Sequence, residues 1–194
     1  MTMRKQALLF IIAVLFSASF LFAQTGNNNR LTTEGNTKSI GDSIFLTKPT
    51  DSIGLLRYYR DSLVTELLAY AKTFLGVPYR WAGRSRAGFD CSGFVMTMFA
   101  HIGVPLSPSA VDMSGSGRVV PDSTIRRGDI LFFVNTQRYR TGIGHVALAY
   151  EVKNGDVIFI HSACNGGVRF DYLSSAYYSK HYFKAERISI FDVP

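Results

Sequence analysis

The chain has 194 residues, of which 47% are hydrophobic, including fifteen Phe and ten Tyr, enough for one domain with a core of its own. Its formal charge is +7, or +5 once Arg4 and Lys5 are set aside, a modest positive field that suits an anionic polymer. No basic tract with interleaved aromatics accompanies that charge, which argues against nucleic acid as a partner.

At the N-terminus, Arg4 and Lys5 precede the apolar run Ala7 to Phe22, and Ala23 stands before polar Gln24-Thr25-Gly26. This pattern predicts an export signal over residues 1–23, cut after Ala23, and hence an exported chain. A retained membrane anchor is the alternative, although the run is short for a span of about 20 apolar residues. No Cys lies near the cut, so cysteine lipidation is excluded there. Residues 24–52 are rich in Asn, Thr, Ser and Gly and predict a flexible polar linker. The folded domain is expected over 53–194.

Val64, Leu67, Leu68, Ala71 and Leu75 repeat with the helical period. Asp61 or Ser62 is the expected cap of that helix, and Gly76 with Pro78 its end. A second helix is predicted from Cys91, with Asp90 as N-cap, Phe94, Val95, Met98 and Ile102 turned inward, and Gly103 as its stop. Beyond Gly103 the texture becomes β-rich. Strands are expected at Val119-Val120, Ile130–Val134, His145–Glu151, Val157–Ser162, Val168–Tyr172 and Ala185–Ile190. Helices first and hairpin-linked strands afterwards give an α+β fold with a central antiparallel sheet. Arg127-Gly128-Asp129 has the form of an adhesion tripeptide, but it directly precedes Ile130-Leu131-Phe132-Phe133 and reads as a turn into a strand.

Cys91 at a helix start, with His145 and His161 inside strand-like runs, fits a thiol nucleophile, an imidazole base and a second imidazole that orients the base. A helix N-terminus and a neighbouring imidazolium would both lower the thiol pKa. A neutral His161 can offer one ring lone pair to the far N–H of His145 without adding a charge. Three other readings use the same residues: simple burial, a Cys91–Cys164 disulfide, and a zinc site drawing on Cys91, His145, His161 and Cys164. Neither metal nor cofactor is required by the thiol reading. Cys164, without a base of its own, is expected to be structural or incidental.

Pro78-Tyr79-Arg80-Trp81-Ala82-Gly83, Phe89-Asp90-Cys91-Ser92-Gly93-Phe94-Val95, Arg127-Gly128-Asp129-Ile130-Leu131-Phe132-Phe133, Gly144-His145-Val146-Ala147 and Phe159-Ile160-His161-Ser162 together resemble the NlpC family of papain-like cell-wall cysteine peptidases. The resemblance spans about residues 63–188. It implies a papain-like fold and a peptidoglycan hydrolase cutting between the γ-carboxyl of D-glutamate and a diamino acid. It also implies Cys91 as nucleophile, His145 as base, His161 as orienting residue, and an oxyanion site made by the Cys91 N–H and the Tyr79 hydroxyl. Asp90 and Ser92 would lie beside the amino end of the substrate. Asp90 has a competing task as helix cap, Tyr79 as a half-buried aromatic, and Trp81 is expected in the core. The chain departs from the family at Ser107-Pro108 and Asp112-Met113, positions that line the cleft, so the preferred stem peptide does not carry over. With no extra wall-binding module expected, the partner is the stem peptide itself, met by a monomer without stable membrane insertion. Two further readings stay open: an amidase or acyl transferase on the same fold, and a non-catalytic wall-binding module.

The turn between the histidine strands carries a sharper expectation. A two-residue Asn154-Gly155 turn pairs Lys153 with Asp156 and sets His161 opposite Leu148, turning the two rings to opposite faces. A three-residue loop, with Gly155 at positive φ, sets His161 opposite Ala147, and the rings become diagonal neighbours about 7–8 Å apart at the backbone. A paired-histidine mechanism therefore needs that loop or an equivalent one-residue bulge.

Overall fold

The computed structural model describes residues 48–134 and 142–193. The expected signal (1–23) and most of the expected linker lie outside the described residues. Among the described residues, no helix is long and apolar enough to cross a membrane.

Helix α1 runs Ser52–Lys72 and buries Val64, Leu67, Leu68 and Ala71. Its cap is Asp51, whose Oδ1 accepts the Gly54 N–H at 2.7 Å, ten residues ahead of the expected Asp61. The early turns carry Ile53 and Leu56 exposed, so they show no apolar face from which the true start could be read. At the other end the helix stops at Lys72, leaving Leu75 outside it and exposed.

A two-stranded hairpin, β1 (Arg84–Ser85) and β2 (Gly88–Phe89), leads into α2 (Cys91–His101). Asp90 caps α2 through Oδ1 to the Gly93 N–H at 2.6 Å, and Phe94, Val95 and Met98 are buried as expected. The helix closes at Ile102 with Gly103 at φ +76°. Tyr70 of α1 stacks on His101 of α2 with ring centroids 3.7 Å apart.

After a short helix α3 (Ala110–Met113) come β3 (Arg118–Val120), β4 (Ile130–Val134), β5 (Ile143–Lys153), β6 (Asp156–Ala163), β7 (Gly167–Tyr172), helix α4 (Ala176–His181) and β8 (Tyr182–Arg187). The six strands from β3 to β8 form one antiparallel sheet in the order β3-β8-β4-β5-β6-β7. The fold is therefore α+β, as the sequence predicts. Alternation sorts the core into two layers. Ile130, Phe132, Val146, Leu148 and Ile160 meet α1 and α2, while Leu131, Phe133, Ala147, Ala149 and Phe159 meet Tyr178 of α4 on the other face. Arg127-Gly128-Asp129 is a turn into β4, with Gly128 at φ +88° and Asp129 buried.

The β5–β6 turn corrects one expectation and meets its alternative. Lys153 pairs with Asp156, so the loop has two residues, and both Asn154 (φ +53°) and Gly155 (φ +79°) are left-handed, as a type I′ turn requires. The register then shifts between Ala149 and Glu151, leaving Tyr150 as a one-residue bulge packed against Phe170 at 4.6 Å. Beyond the bulge Ala149 faces Phe159 and Leu148 faces Ile160. Carried one step further, that offset sets His161 level with Ala147 and both histidines on one face.

Candidate active site

Each expected catalytic residue reaches the site for a local reason. The Phe89–Asp90 segment that delivers Cys91 is held from three sides: Arg80 N–H to Phe89 O at 3.0 Å, Asp90 N–H to Gly83 O at 3.1 Å, and the Ser162 hydroxyl to Phe89 O at 2.7 Å. Ser162 follows His161 on β6, so alternating side chains serve two tasks. One ties β6 to the entrance of α2, and the next forms the histidine pair. The edge of β7 is locked to the same region by Val168 N–H to Val77 O at 2.8 Å, and a Cβ on Gly167 would run into that carbonyl.

The two imidazoles meet. His145 Nε2 lies 2.7 Å from His161 Nδ1, with the ring planes 85° apart. His161 is fully buried and His145 partly so. Burial lowers the pKa of both rings below the ordinary histidine value, and His161 adds to the effect on His145. Through Sγ, Cys91 meets the backbone N–H of Val146, the residue after His145 on β5. Among the described residues its Sγ makes no hydrogen bond to His145, although such contacts are commonly long before substrate arrives.

The thiol itself departs from expectation. Burial pushes Cys91 up to about 11, and the Asp90 carboxylate adds to the rise, against the pull of the Val146 and Ser92 N–H groups. The expected depression rests on the helix start and on an imidazolium neighbour; the helix start is present, but burial outweighs it, and a His145 with a lowered pKa is neutral at pH 7. The resting pair is thiol and imidazole rather than an ion pair.

Tyr79 is half-buried and bridges to Phe89. Burial, with Cys164, Cys91 and Asp90 nearby, raises its pKa, so the hydroxyl keeps its proton and can donate. Ser92 is buried, and its one hydroxyl proton has two acceptors in reach, Pro108 O at 2.7 Å and Asp90 Oδ1 at 3.1 Å. Asp90 Oδ1 is occupied by the cap, leaving Oδ2 as the oxygen without a hydrogen bond among the described residues. Trp81 corrects its expectation: it is 78% exposed on the turn beside Tyr79, outside the core. Cys91 and Cys164 are both free thiols rather than a disulfide, and Cys164 is exposed beside the Tyr79 hydroxyl. Among the described residues no cluster of His, Cys, Asp or Glu could hold a metal ion.

Sequence reasoning misses the far end of this row. His161 Nε2 lies 2.8 Å from Asp171 Oδ2 on β7. The same oxygen accepts Arg169 Nε–H at 2.8 Å and the Tyr178 hydroxyl at 3.2 Å, and Tyr178 Oη is 3.3 Å from His161 Nε2. Burial alone would raise the Asp171 pKa, but the bonds from His161 and Arg169 outweigh it and hold the carboxyl below the usual range. The only cue in the sequence is β6–β7 pairing, which sets His161 opposite Arg169 and Asp171 on the diagonal.

With this geometry in view, comparison with known proteins is specific. A family model described as the NlpC/P60 family matches residues 76–187. A Bacillus cereus protein named gamma-D-glutamyl-L-lysine dipeptidyl-peptidase is 37% identical over 97 residues, which cover 50% of this chain and 28% of that protein. A Haemophilus influenzae protein named "Probable endopeptidase" is 33% identical over 114 residues, 58% of this chain and 67% of that protein. The solved structure of the Mycobacterium tuberculosis peptidoglycan hydrolase RipB aligns with a TM-score of 0.54 and 29% identity, over 68% of this chain and 67% of that one. The chain thus spans little more than a quarter of the length of the Bacillus relative.

Proposed function

The chain belongs to the NlpC/P60 family, and from that membership we propose that it is an exported cysteine peptidase that hydrolyses peptidoglycan stem peptides at the γ-D-glutamyl–diamino acid bond. The observation that carries this reading is the 2.7 Å contact of His145 and His161 beside a free Cys91 at a helix N-terminus. The relatives named for γ-D-glutamyl-L-lysine and peptidoglycan hydrolysis support the substrate class.

In the proposed reaction a neutral His145 takes the Cys91 proton as Sγ attacks the scissile carbonyl. Negative charge grows on the carbonyl oxygen, where the Cys91 N–H and the protonated Tyr79 hydroxyl donate to it. His145 passes its proton to the leaving amine of the diamino acid, leaving a thioester on Cys91. Water, deprotonated by His145, then releases the γ-carboxylate and restores the thiol. On this reading Asp90 would lie beside the amino end of the stem peptide, where Oδ2 would meet the ammonium group of a peptide freed from the glycan.

Digestion of purified sacculi, and of stem peptides freed from the glycan, followed by mass spectrometry of the products, tests the reading. The expected cut leaves a D-glutamate with a free γ-carboxyl on one product and a diamino acid with a newly freed amino group on the other. Products cut within the sugar backbone, or fragments released equally by Cys91→Ala, would overturn it.

A further inference from the structure

We infer that Asp171 is a positioning residue that sets, through His161, which nitrogen of His145 is the base. The inference rests on the proposed thiol chemistry only in saying what that nitrogen is for.

The argument is one of donors and acceptors. Asp171 Oδ2 is an ionised carboxylate oxygen held by Arg169, and it can only accept. At 2.8 Å from that oxygen, His161 Nε2 must carry a proton. Burial keeps His161 from taking a second one, so its Nδ1 is a bare lone pair. That lone pair is 2.7 Å from His145 Nε2, which must therefore be the protonated nitrogen of a neutral His145. His145 Nδ1 is left bare, the one ring position it can offer to the Cys91 thiol. Because the thiol rests protonated, a base already in this tautomer is a requirement rather than a refinement. Remove the carboxylate and the logic reverses. Tyr178, 3.3 Å from His161 Nε2 and released from Asp171, can donate to that nitrogen. The shared protons then shift along the row, and His145 Nδ1 carries a hydrogen and cannot act as the base.

Two substitutions separate this role from simple support. In Asp171→Ala the base is blocked for much of the time, and kcat should fall on the order of 10³-fold, approaching the loss seen when an orienting carboxylate is replaced and the wrong tautomer results. KM should hold, since Asp171 lies behind His161. In Asp171→Asn, Arg169 and Tyr178 still need an acceptor, so the amide oxygen takes the place of Oδ2 and the tautomer survives. Only the charge is lost, for about a tenfold decrease. The decisive readout needs no substrate: ¹⁵N spectra of the ring nitrogens. They should show His145 protonated at Nε2 in the wild type and in Asp171→Asn, and protonated substantially at Nδ1 in Asp171→Ala. His145 remaining protonated at Nε2 in a folded Asp171→Ala would overturn the inference, as would kcat within threefold of wild type. A wild type inert on sacculi but showing the expected spectra would instead sink the proposed substrate and leave the relay standing.

Discussion

Two buried polar systems share one sheet and are built on opposite rules. Toward the β8 end, Asp129 takes two bonds from Arg187, at 2.8 Å each, and the Arg126 N–H, also at 2.8 Å. Its neighbour Glu186 is 1% exposed and accepts the Gly115 and Gly117 N–H groups and Lys184 Nζ. Every charge there is met by a fixed donor, and no proton has a second place to go. Toward the cleft, each imidazole of the His145–His161 pair shares a proton that two nitrogens could hold. The first system specifies where β3, β4 and β8 sit; the second holds one tautomer at rest in a row of rings whose other nitrogens can take up a proton, which is what proton transfer needs. Buried polar groups hold a fold when their protons have one place to sit, and serve chemistry when a second nitrogen can take the proton during turnover.

Cys91→Ala should break the comparison most sharply. Activity is expected to fall to background, a loss on the order of 10⁶-fold for removal of a nucleophile. The Cys91 side chain makes few demands on the fold, so the melting temperature should stay close to that of the wild type. Turnover by that variant at the wild-type rate, measured on sacculi, would end the thiol mechanism.

Asp129→Ala should do the reverse. It leaves the Arg187 guanidinium buried without its carboxylate, which costs about 3–5 kcal/mol when one partner of a buried pair is removed. Urea denaturation should show the loss, while kcat of the folded fraction remains near wild type. A proportionate fall in kcat would mean that the two ends of the sheet are coupled.

What the sequence makes legible follows the same division. The α2 cap at Asp90, the stop at Gly103 and the strand runs are local, and each is written within a few residues. The Cys91, His145 and His161 positions stand out because their residue types suit thiol chemistry. Asp171 does not, because an Asp on an edge strand gains meaning only from the β6–β7 pairing. Tyr150 likewise looks like any strand residue until the β5–β6 register forces one residue out of line. The start of α1 at Asp51 is hidden for a different reason: its first turns bury too little to show a period. The thiol pKa was misjudged because a helix start can be recognised in sequence and the burial around it cannot.

That thiol supplies a pH test. With its pKa raised to about 11, Cys91 holds little thiolate at pH 7, and the thiolate population grows as pH rises toward that value. Alkylation by iodoacetamide should therefore run on the order of a hundredfold slower at pH 7 than for a free cysteine of pKa ~8.5, and climb about tenfold per pH unit. A rate that is high and flat between pH 6 and 8 would indicate a thiolate–imidazolium pair, and a His145 that is charged at rest rather than neutral.

The smallest effect is expected at Cys164, which tests whether the cleft end holds one chemically committed thiol or two. Cys164 is exposed beside the Tyr79 hydroxyl, close enough to Cys91 to raise its pKa slightly, yet among the described residues no imidazole or helix start serves it. Serine keeps a polar atom for the tyrosine to meet and removes only a sulfur whose reactivity the proposed reaction never uses. Exposed substitutions of this kind usually stay within about 0.5 kcal/mol, so Cys164→Ser should retain kcat/KM to within two- or threefold. Mass spectrometry after iodoacetamide should still find the label that inactivates the protein on Cys91. A loss approaching that of Cys91→Ala would make Cys164 part of the catalytic row, which would then need an account of how two adjacent thiols divide one base.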